Sequence, residues 1–273
     1  MNETFSFKRF GTYFKYDITR LWRKHSRTVL LVGLSGVIAY VVCVLFSLIF
    51  NHSYQAPGIV GRAAVFCLAM LVLELYQTRF YGYLTDKKEG SEWIMIPASK
   101  VEKFVSMLLN TIIIIPLAFL LTFFFTDWFI CLVDPTAGEA LISKLPFIWD
   151  FFQSVPVEDR IEMSQIGLNP ALFLIMTILT GWGNYLYFLL CGICFKKNKI
   201  FYAILILFGA STILSIVSAV SIPFINFDAL DNMDEEKIKA FFKGMITVSY
   251  VLGTIYTVAM GWGVWRRIST IKH

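Results

Sequence analysis

The chain has 273 residues, of which 57% are hydrophobic and 16% are charged, and its mean hydropathy is +0.67. Soluble domains contain about 45–50% apolar and about 25% charged residues, so this composition excludes an ordinary soluble protein and predicts an integral membrane protein. The formal net charge of +5 comes from basic residues beside apolar stretches, so it predicts no nucleic-acid partner.

Residues 1–27 combine aromatic and basic side chains in a helical pattern. At about 100° per residue, one face of a helix holds Phe7, Phe10, Phe14, Ile18 and Leu21. The opposite face is basic, which is typical of an amphipathic helix that lies in the membrane interface. We therefore predict an interfacial helix over residues 1–27; the alternative is an ordinary cytoplasmic tail.

Six stretches are apolar and long enough to cross a bilayer as helices, which takes about 20 residues each. They cover residues 28–50, 58–83, 104–126, 170–195, 200–224 and 245–265. We predict an all-α, polytopic membrane protein with six transmembrane helices in residues 28–273. A cytosolic loop at 84–103 and a long outside loop at 127–169 connect the spans.

Most of the 24 lysines and arginines lie in four segments that face the same side if there are six spans. These segments precede span one, follow spans two and four, and end the chain. Because cytoplasmic loops are enriched in Lys and Arg, we predict that both termini are cytoplasmic. This orientation, without a eukaryotic targeting signal, favours a bacterial inner membrane.

The loop at 84–103 is mostly charged, but its centre reads Trp93-Ile94-Met95-Ile96-Pro97. Gly90 can end a helix and Pro97 disfavours helical geometry at Ile96, so one or two helical turns are predicted between them. We expect Trp93, Ile94 and Met95 to be exposed there. Such side chains suit docking into the groove of a partner, and the alternative is that they rest on lipid headgroups.

Ser99-Lys100-Val101-Glu102 follows this segment and has the Ser-x-x-Glu pattern of a capping box. In this motif the serine and glutamate side chains satisfy backbone N–H groups at the start of a helix. The motif therefore predicts the start of the helix that becomes the third span.

These features resemble the permease subunits of ABC-2-type transporters, in which the loop between spans two and three forms a coupling helix. The matching residues are Glu89-Gly90-Ser91, Trp93-Ile94-Met95-Ile96, Pro97-Ala98-Ser99 and Glu102. The resemblance implies that a coupling helix contacts a separate cytosolic ATPase subunit through Glu89, Gly90, Ser91, Trp93, Ile94, Met95, Ile96 and Pro97. It also implies a homo- or heterodimer of permeases in the lipid bilayer.

The sequence contains no Gly-x-x-x-x-Gly-Lys-Ser/Thr phosphate-binding loop, so ATP would have to be hydrolysed by another chain. We therefore expect no enzyme activity and no bound cofactor in this chain, with ATP and Mg on the ATPase partner. Cys191 and Cys194 have the spacing of metal ligands, but no second pair completes a site, so no metal site is predicted.

Glu74 is the one carboxylate well inside a predicted span, and ionisable residues in that position tend to be functional. Asn110 and Asn184 are plausible polar neighbours of Glu74 on a substrate path. A structural hydrogen bond between helices is the alternative. Two other functions stay open: an ATP-independent secondary transporter or channel that uses Glu74, and a membrane scaffold or sensor subunit without transport.

Overall fold

The structure is a computed structural model that describes residues 5–50, 52–144, 169–221 and 235–271. These residues form helices and turns, with no strand among them. The described helices are α1 (Phe7–Gly33), α2 (Ser35–Phe50), α3 (Ile59–Phe80), α4 (Lys87–Met95), α5 (Lys100–Val133), α6 (Pro170–Cys194), α7 (Lys199–Ser221) and α8 (Glu235–Thr270). Short 3₁₀ turns cover Gly82–Thr85, Pro135–Ala137 and Leu141–Lys144.

Five described helices, α3 and α5 to α8, are long and apolar enough to cross a membrane, and the bent pair α1–α2 would make a sixth. Large apolar side chains lie exposed along them, such as Phe46 at 58%, Phe208 at 68% and Val258 at 66%. Lipid can cover such side chains as well as protein can, so the prediction of an all-α membrane protein is confirmed. Residues 145–168 of the predicted outside loop and 222–224 of the fifth stretch lie outside the described residues.

The first helix continues past the predicted boundary at residue 27. It runs to Gly33, and a bend of 42° separates it from α2. A Cβ atom added to Gly33 would lie 2.7 Å from Cβ of Thr122, so the glycine lets the bend pack closely against α5. The predicted boundary was placed at Arg27 because the basic residues end there. The bend instead lies where Gly33 packs against Thr122.

A stripe on α1 packs into the bundle, and it is not the predicted aromatic face. The buried residues recur every four positions: Tyr13, Asp17, Leu21, His25, Val29 and Gly33. Of the aromatic face, Leu21 is buried, Phe7 is 84% exposed, and the others are half-buried. The helix therefore has three faces: a basic one, an aromatic one that lipid can cover, and a buried one that holds it to the bundle.

The helix α5 contains one π-helical turn, Asn110–Ile114. Pro116 follows it, and proline has no N–H for the usual hydrogen bond and clashes with the carbonyl one turn earlier. A widened turn accommodates that clash. It places Asn110 and Thr111 inside the bundle, where both are buried.

The C-terminal end of α5 also differs from the prediction, because the helix continues to Val133. Asp127, the predicted first residue of the outside loop, is therefore a buried helical residue. Its Oδ1 atom lies 2.7 Å from Nη1 of Arg62 in α3. This ion pair explains how a span that hydropathy marks as apolar can hold Arg62.

Close backbone contact joins α3 and α6 at Gly192. A Cβ atom added there would lie 2.4 Å from the carbonyl oxygen of Thr78, and backbone cannot turn aside as a side chain can. No larger residue fits without separating the two helices.

Gly192→Ala should therefore lower the free energy of unfolding by about 1–3 kcal/mol, the usual cost of overpacking. Gly181→Ala in the same helix is the matched control, because nothing lies within 4 Å of its added Cβ. It should be neutral or stabilise by up to about 1 kcal/mol through helix propensity. Thermal unfolding in detergent measures both variants, and equal melting temperatures would contradict the close contact.

Candidate functional site

The four basic segments meet at one end of the bundle, which we call the basic end. Nζ of Lys100 donates to the carbonyl oxygen of Ser269 over 3.2 Å, which joins the loop after α3 to the end of α8. Nζ of Lys199 donates to Oγ1 of Thr85 over 2.8 Å, which joins the α6–α7 turn to the same loop. Contacts from α1, described next, bring in the N-terminal segment.

The helix α4 begins after Asp86 and ends at Met95. Its end is where the proline rule places it, because Ile96 is extended, with φ −62° and ψ 127°, before Pro97. The predicted start was wrong: Gly90 lies buried within the helix and does not break it. A short helix between α3 and α5 is thus present, one turn longer than predicted.

Trp93 is buried, contrary to the expectation that it is exposed. Its side chain is 4% exposed, and its indole N–H donates to the Tyr13 hydroxyl over 3.0 Å. Nζ of Lys103 lies 4.6 Å from the centre of the ring and donates to the Trp93 carbonyl oxygen over 2.8 Å. Because α1 and α5 enclose it, Trp93 anchors α4 and offers no surface to a partner.

On α4 and the two residues after it, the exposed side chains among those described are Lys88, Glu92, Met95 and Pro97, which we call the α4 outer face. Met95 is 80% exposed, and Ile94 and Ile96 are half-buried beside it. Lys88 and Glu92, seven and three positions earlier on α4, lie on the same face of the helix as Met95. Its flexible thioether suits contact with an adaptable apolar partner surface.

Glu89 joins α4 to α1 through two cations. Its Oε2 atom lies 3.1 Å from Nζ of Lys24 and 3.4 Å from Nη2 of Arg20. The hydrogen bond from Lys24, with help from the charge of Arg20, lowers the pKa of the Glu89 carboxyl below its usual value. Ser91 turns back on its own helix, donating to the Lys88 carbonyl oxygen over 2.9 Å. Glu89 therefore positions α4 against α1, whereas the Ser91 bond stays within α4.

The capping box is confirmed. The Glu102 N–H donates to Oγ of Ser99 over 3.2 Å, and the Ser99 N–H donates to Oε2 of Glu102 over 2.9 Å. The same carboxylate accepts from Nη2 of Arg9 over 2.7 Å and from the Ser6 N–H over 2.9 Å. Glu102 thus both starts α5 and fixes the first turn of α1 to it.

A buried polar cluster around Asp17 completes the connection between α1 and the bundle. Oδ2 of Asp17 accepts from Oγ of Ser106 over 2.6 Å, from the Tyr81 hydroxyl over 2.8 Å and from Nδ2 of Asn110 over 3.0 Å. Sequence reasoning missed this cluster. The available signal was that Asp17 is the only acidic residue between Glu3 and Glu74.

The three residues of the predicted path do not form one site. Asn110 belongs to the Asp17 cluster. Asn184 accepts a hydrogen bond from the Tyr256 hydroxyl over 3.2 Å, and Tyr256 interacts electrostatically with Glu74. Glu74 is half-buried, and no hydrogen bond or ion pair reaches it from the described residues. Glu74 and Asn184 therefore share a polar region that does not include Asn110.

A surface groove of about 900 Å³ runs between α1 and α4. Its charged lining is Lys15, Arg20, Arg23, Lys24, Lys88, Glu89 and Glu92. The groove borders the α4 outer face, so a partner seated on Met95 would also meet these charges. Within the described ranges, no three His, Cys, Asp or Glu side chains come together as metal ligands.

Comparison with protein-family models, with curated proteins and with solved structures gives no match. The fold and its apolar helices define the chain as an all-α membrane protein. At its basic end, buried contacts hold the short helix α4 between the long helices α1 and α5.

Proposed function

We propose that the chain is the membrane-spanning permease subunit of an ABC-2-type transporter. It would cross a bacterial inner membrane six times, with both termini and α4 in the cytoplasm. It would act as a homo- or heterodimer and move its substrate with a separate ATPase subunit, which would bind ATP and Mg²⁺. The observation that carries this proposal is the α4 outer face, an exposed Met95 on a short helix that is firmly attached to the spans.

Energy transfer from an ATPase needs such an attachment, because a helix that moved alone would transmit nothing to the membrane. The described contacts supply it. Trp93 is enclosed by α1 and α5, Glu89 pairs with α1, and Glu102 joins α1 to α5. Displacement of α4 would therefore move α1 and α5 as one body.

The docking site on this proposal is smaller than the resemblance implied. Trp93 and Gly90 are buried, and Glu89 and Ser91 bond within the chain, so these residues support the site. Met95 and Pro97 would contact the ATPase directly, and the half-buried Ile94 and Ile96 would lie at the edge of the docking site. Lys88 and Glu92 add charged contacts around them.

Met95→Asp tests the docking. In an affinity purification from native membranes in mild detergent, the tagged protein should recover a roughly stoichiometric ATPase. Met95→Asp should weaken that complex by about thirtyfold, as expected when a charge replaces an apolar hot spot. Because Met95 is 80% exposed, the fold should not change.

Met95→Leu is the matched control, since leucine keeps the apolar character and should keep the ATPase. Recovery of the ATPase by Met95→Asp at the level of Met95→Leu would remove α4 from the interface. Failure to recover any ATPase with the unsubstituted protein would overturn the permease proposal.

An ATP-independent transporter or channel is a second candidate, and the position of Glu74 favours it. A carboxylate without an ion pair among the described residues, near the hydroxyls of Tyr185 and Tyr256, could bind and release a proton or cation. Glu74→Gln should then reduce transport at least tenfold and leave ATPase recovery unchanged. If the chain is a permease subunit, the rate of transport should depend on ATP. If it is an ATP-independent transporter, the rate should depend on a pH or ion gradient.

A further inference from the structure

A second open cleft of about 900 Å³ lies at the basic end, between α1, α3 and the start of α7. Four cations line it: Lys24, Arg79, Lys196 and Lys199. Asp86 is the one carboxylate in the lining. The cleft therefore carries a clear excess of positive charge, which suits an anionic ligand.

Two of the four cations are available to such a ligand. Lys24 already pairs with Glu89, and Nζ of Lys199 donates to Thr85 and to the Gly82 carbonyl. The side chains of Arg79 and Lys196 are exposed and make no ion pair or hydrogen bond with the described residues. They line the cleft from two different segments, one at the end of α3 and the other before α7.

Part of the remaining wall is apolar and is formed by residues of α3 and α7. Tyr76, Phe201 and Ile204 line the cleft, and Phe201 is 61% and Ile204 47% exposed. Both residues lie on α7, a helix apolar enough to cross the membrane. A molecule that fits this wall has a phosphate-sized anion at one end and hydrocarbon at the other.

The helix α7 packs loosely against the rest of the described bundle. Only 6% of its most apolar stretch is buried, and Ala203 is its one fully buried side chain in the described part. Lipid in the cleft would fill the space between α7 and α3 that protein side chains leave open.

We propose that this cleft is a binding site for an anionic phospholipid from the leaflet at the basic end. The headgroup phosphate lies between Arg79 and Lys196, and an acyl chain follows Phe201 and Ile204. Basic pockets between membrane helices at this depth are suited to such headgroups. The bound lipid holds α7 against the Gly82–Thr85 turn, which leads into α4. This inference does not rest on the proposed ATPase partner.

Native mass spectrometry of the purified full chain, titrated with phosphatidylglycerol or phosphatidylcholine, tests the site. Phosphatidylglycerol should bind at least tenfold more tightly than phosphatidylcholine. Each cation near an anionic lipid is worth about fivefold in binding, so Arg79→Gln with Lys196→Gln should weaken phosphatidylglycerol binding by about thirtyfold. Lys196→Gln alone should weaken it about fivefold, which keeps the test valid if the double variant does not fold.

Lys197→Gln is the matched control, because Lys197 is an exposed neighbour that does not line the cleft. It should bind phosphatidylglycerol like the unsubstituted chain. Equal binding of the two lipids, or Lys196→Gln binding as tightly as Lys197→Gln, would overturn the proposal. Glycerol phosphate that binds as tightly as phosphatidylglycerol would also overturn it, in favour of a soluble phosphate ligand.

Discussion

Arg62→Met is expected to lower the free energy of unfolding by about 3–5 kcal/mol, because it leaves a buried carboxylate without its partner. The Arg62 side chain is 4% and the Asp127 side chain 3% exposed. Nη2 of Arg62 also donates to the carbonyl oxygens of Ala137 and Glu139, over 2.9 and 2.7 Å. The Leu141 N–H donates to Oδ2 of Asp127 over 2.7 Å. One substitution therefore releases both the ion pair and the turn that covers it.

The double variant Arg62→Met with Asp127→Leu separates these two effects. Replacing both charges by apolar groups removes the unpaired carboxylate, so part of the lost stability should return. Recovery should stay incomplete, because the backbone groups of Ala137, Glu139 and Leu141 lose their partners as well. Thermal unfolding in detergent measures both variants. A melting temperature for Arg62→Met equal to that of the unsubstituted protein would show that the pair is not buried as described.

Trp93→Ala is expected to cost about 3–5 kcal/mol, the usual range for removing a large buried aromatic side chain. The cavity would open between α1, α4 and α5, and the Tyr13 hydroxyl would lose its donor. ATPase recovery should fall too, because α4 would no longer be held in position. A loss of docking by this variant therefore reports on support of the helix, whereas Met95→Asp reports on contact.

Two controls make the Trp93 experiment specific. Trp93→Phe keeps most of the ring and loses the indole N–H, so it should cost only about 1 kcal/mol, the net worth of one hydrogen bond. Met95→Ala, two residues further along, should change stability by less than about 0.5 kcal/mol, because Met95 is exposed. If Trp93→Ala unfolds at the temperature of Met95→Ala, the anchoring role of Trp93 is wrong.

Local patterns predicted the parts of the fold that depend on neighbouring residues. The apolar stretches predicted membrane helices because their signal needs only composition over about 20 residues. Ser99 and Glu102 predicted the capping box, and Pro97 predicted the end of α4, because these rules act within one turn.

The errors arose where a side chain meets a distant part of the chain. Trp93 contacts Tyr13, which lies 80 positions earlier, and nothing within the loop signals that contact. Apolarity does not show which side chains are packed against protein, because the positions that face lipid and those that face another helix hold the same types of residue. The pairing of Asn110 with Asp17 was missed for the same reason, although Glu74 was recognised as unusual from its position alone.

The buried stripe of α1 shows a further limit. Both Tyr13 and Asp17 lie on it, whereas the hydrophobic pattern points to the face with Phe7 and Phe14. Aromatic side chains at a membrane interface produce a strong helical pattern without marking the packed face. The packed face of α1 combines apolar contacts of Leu21 and Val29 with the hydrogen bonds of Tyr13 and Asp17, which periodicity of apolar residues does not detect.

Photo-cross-linking from position 95 in native membranes tests the central claim most directly. A benzoyl-phenylalanine in place of Met95 reacts with whatever covers the α4 outer face, and mass spectrometry identifies the product. A matched probe in place of Leu45, which is 52% exposed on α2, should react with lipid only. The proposed function predicts that position 95 forms an adduct with an ATPase chain that contains a phosphate-binding loop. Lipid adducts alone at position 95, as at position 45, would contradict it and place α4 on the headgroups.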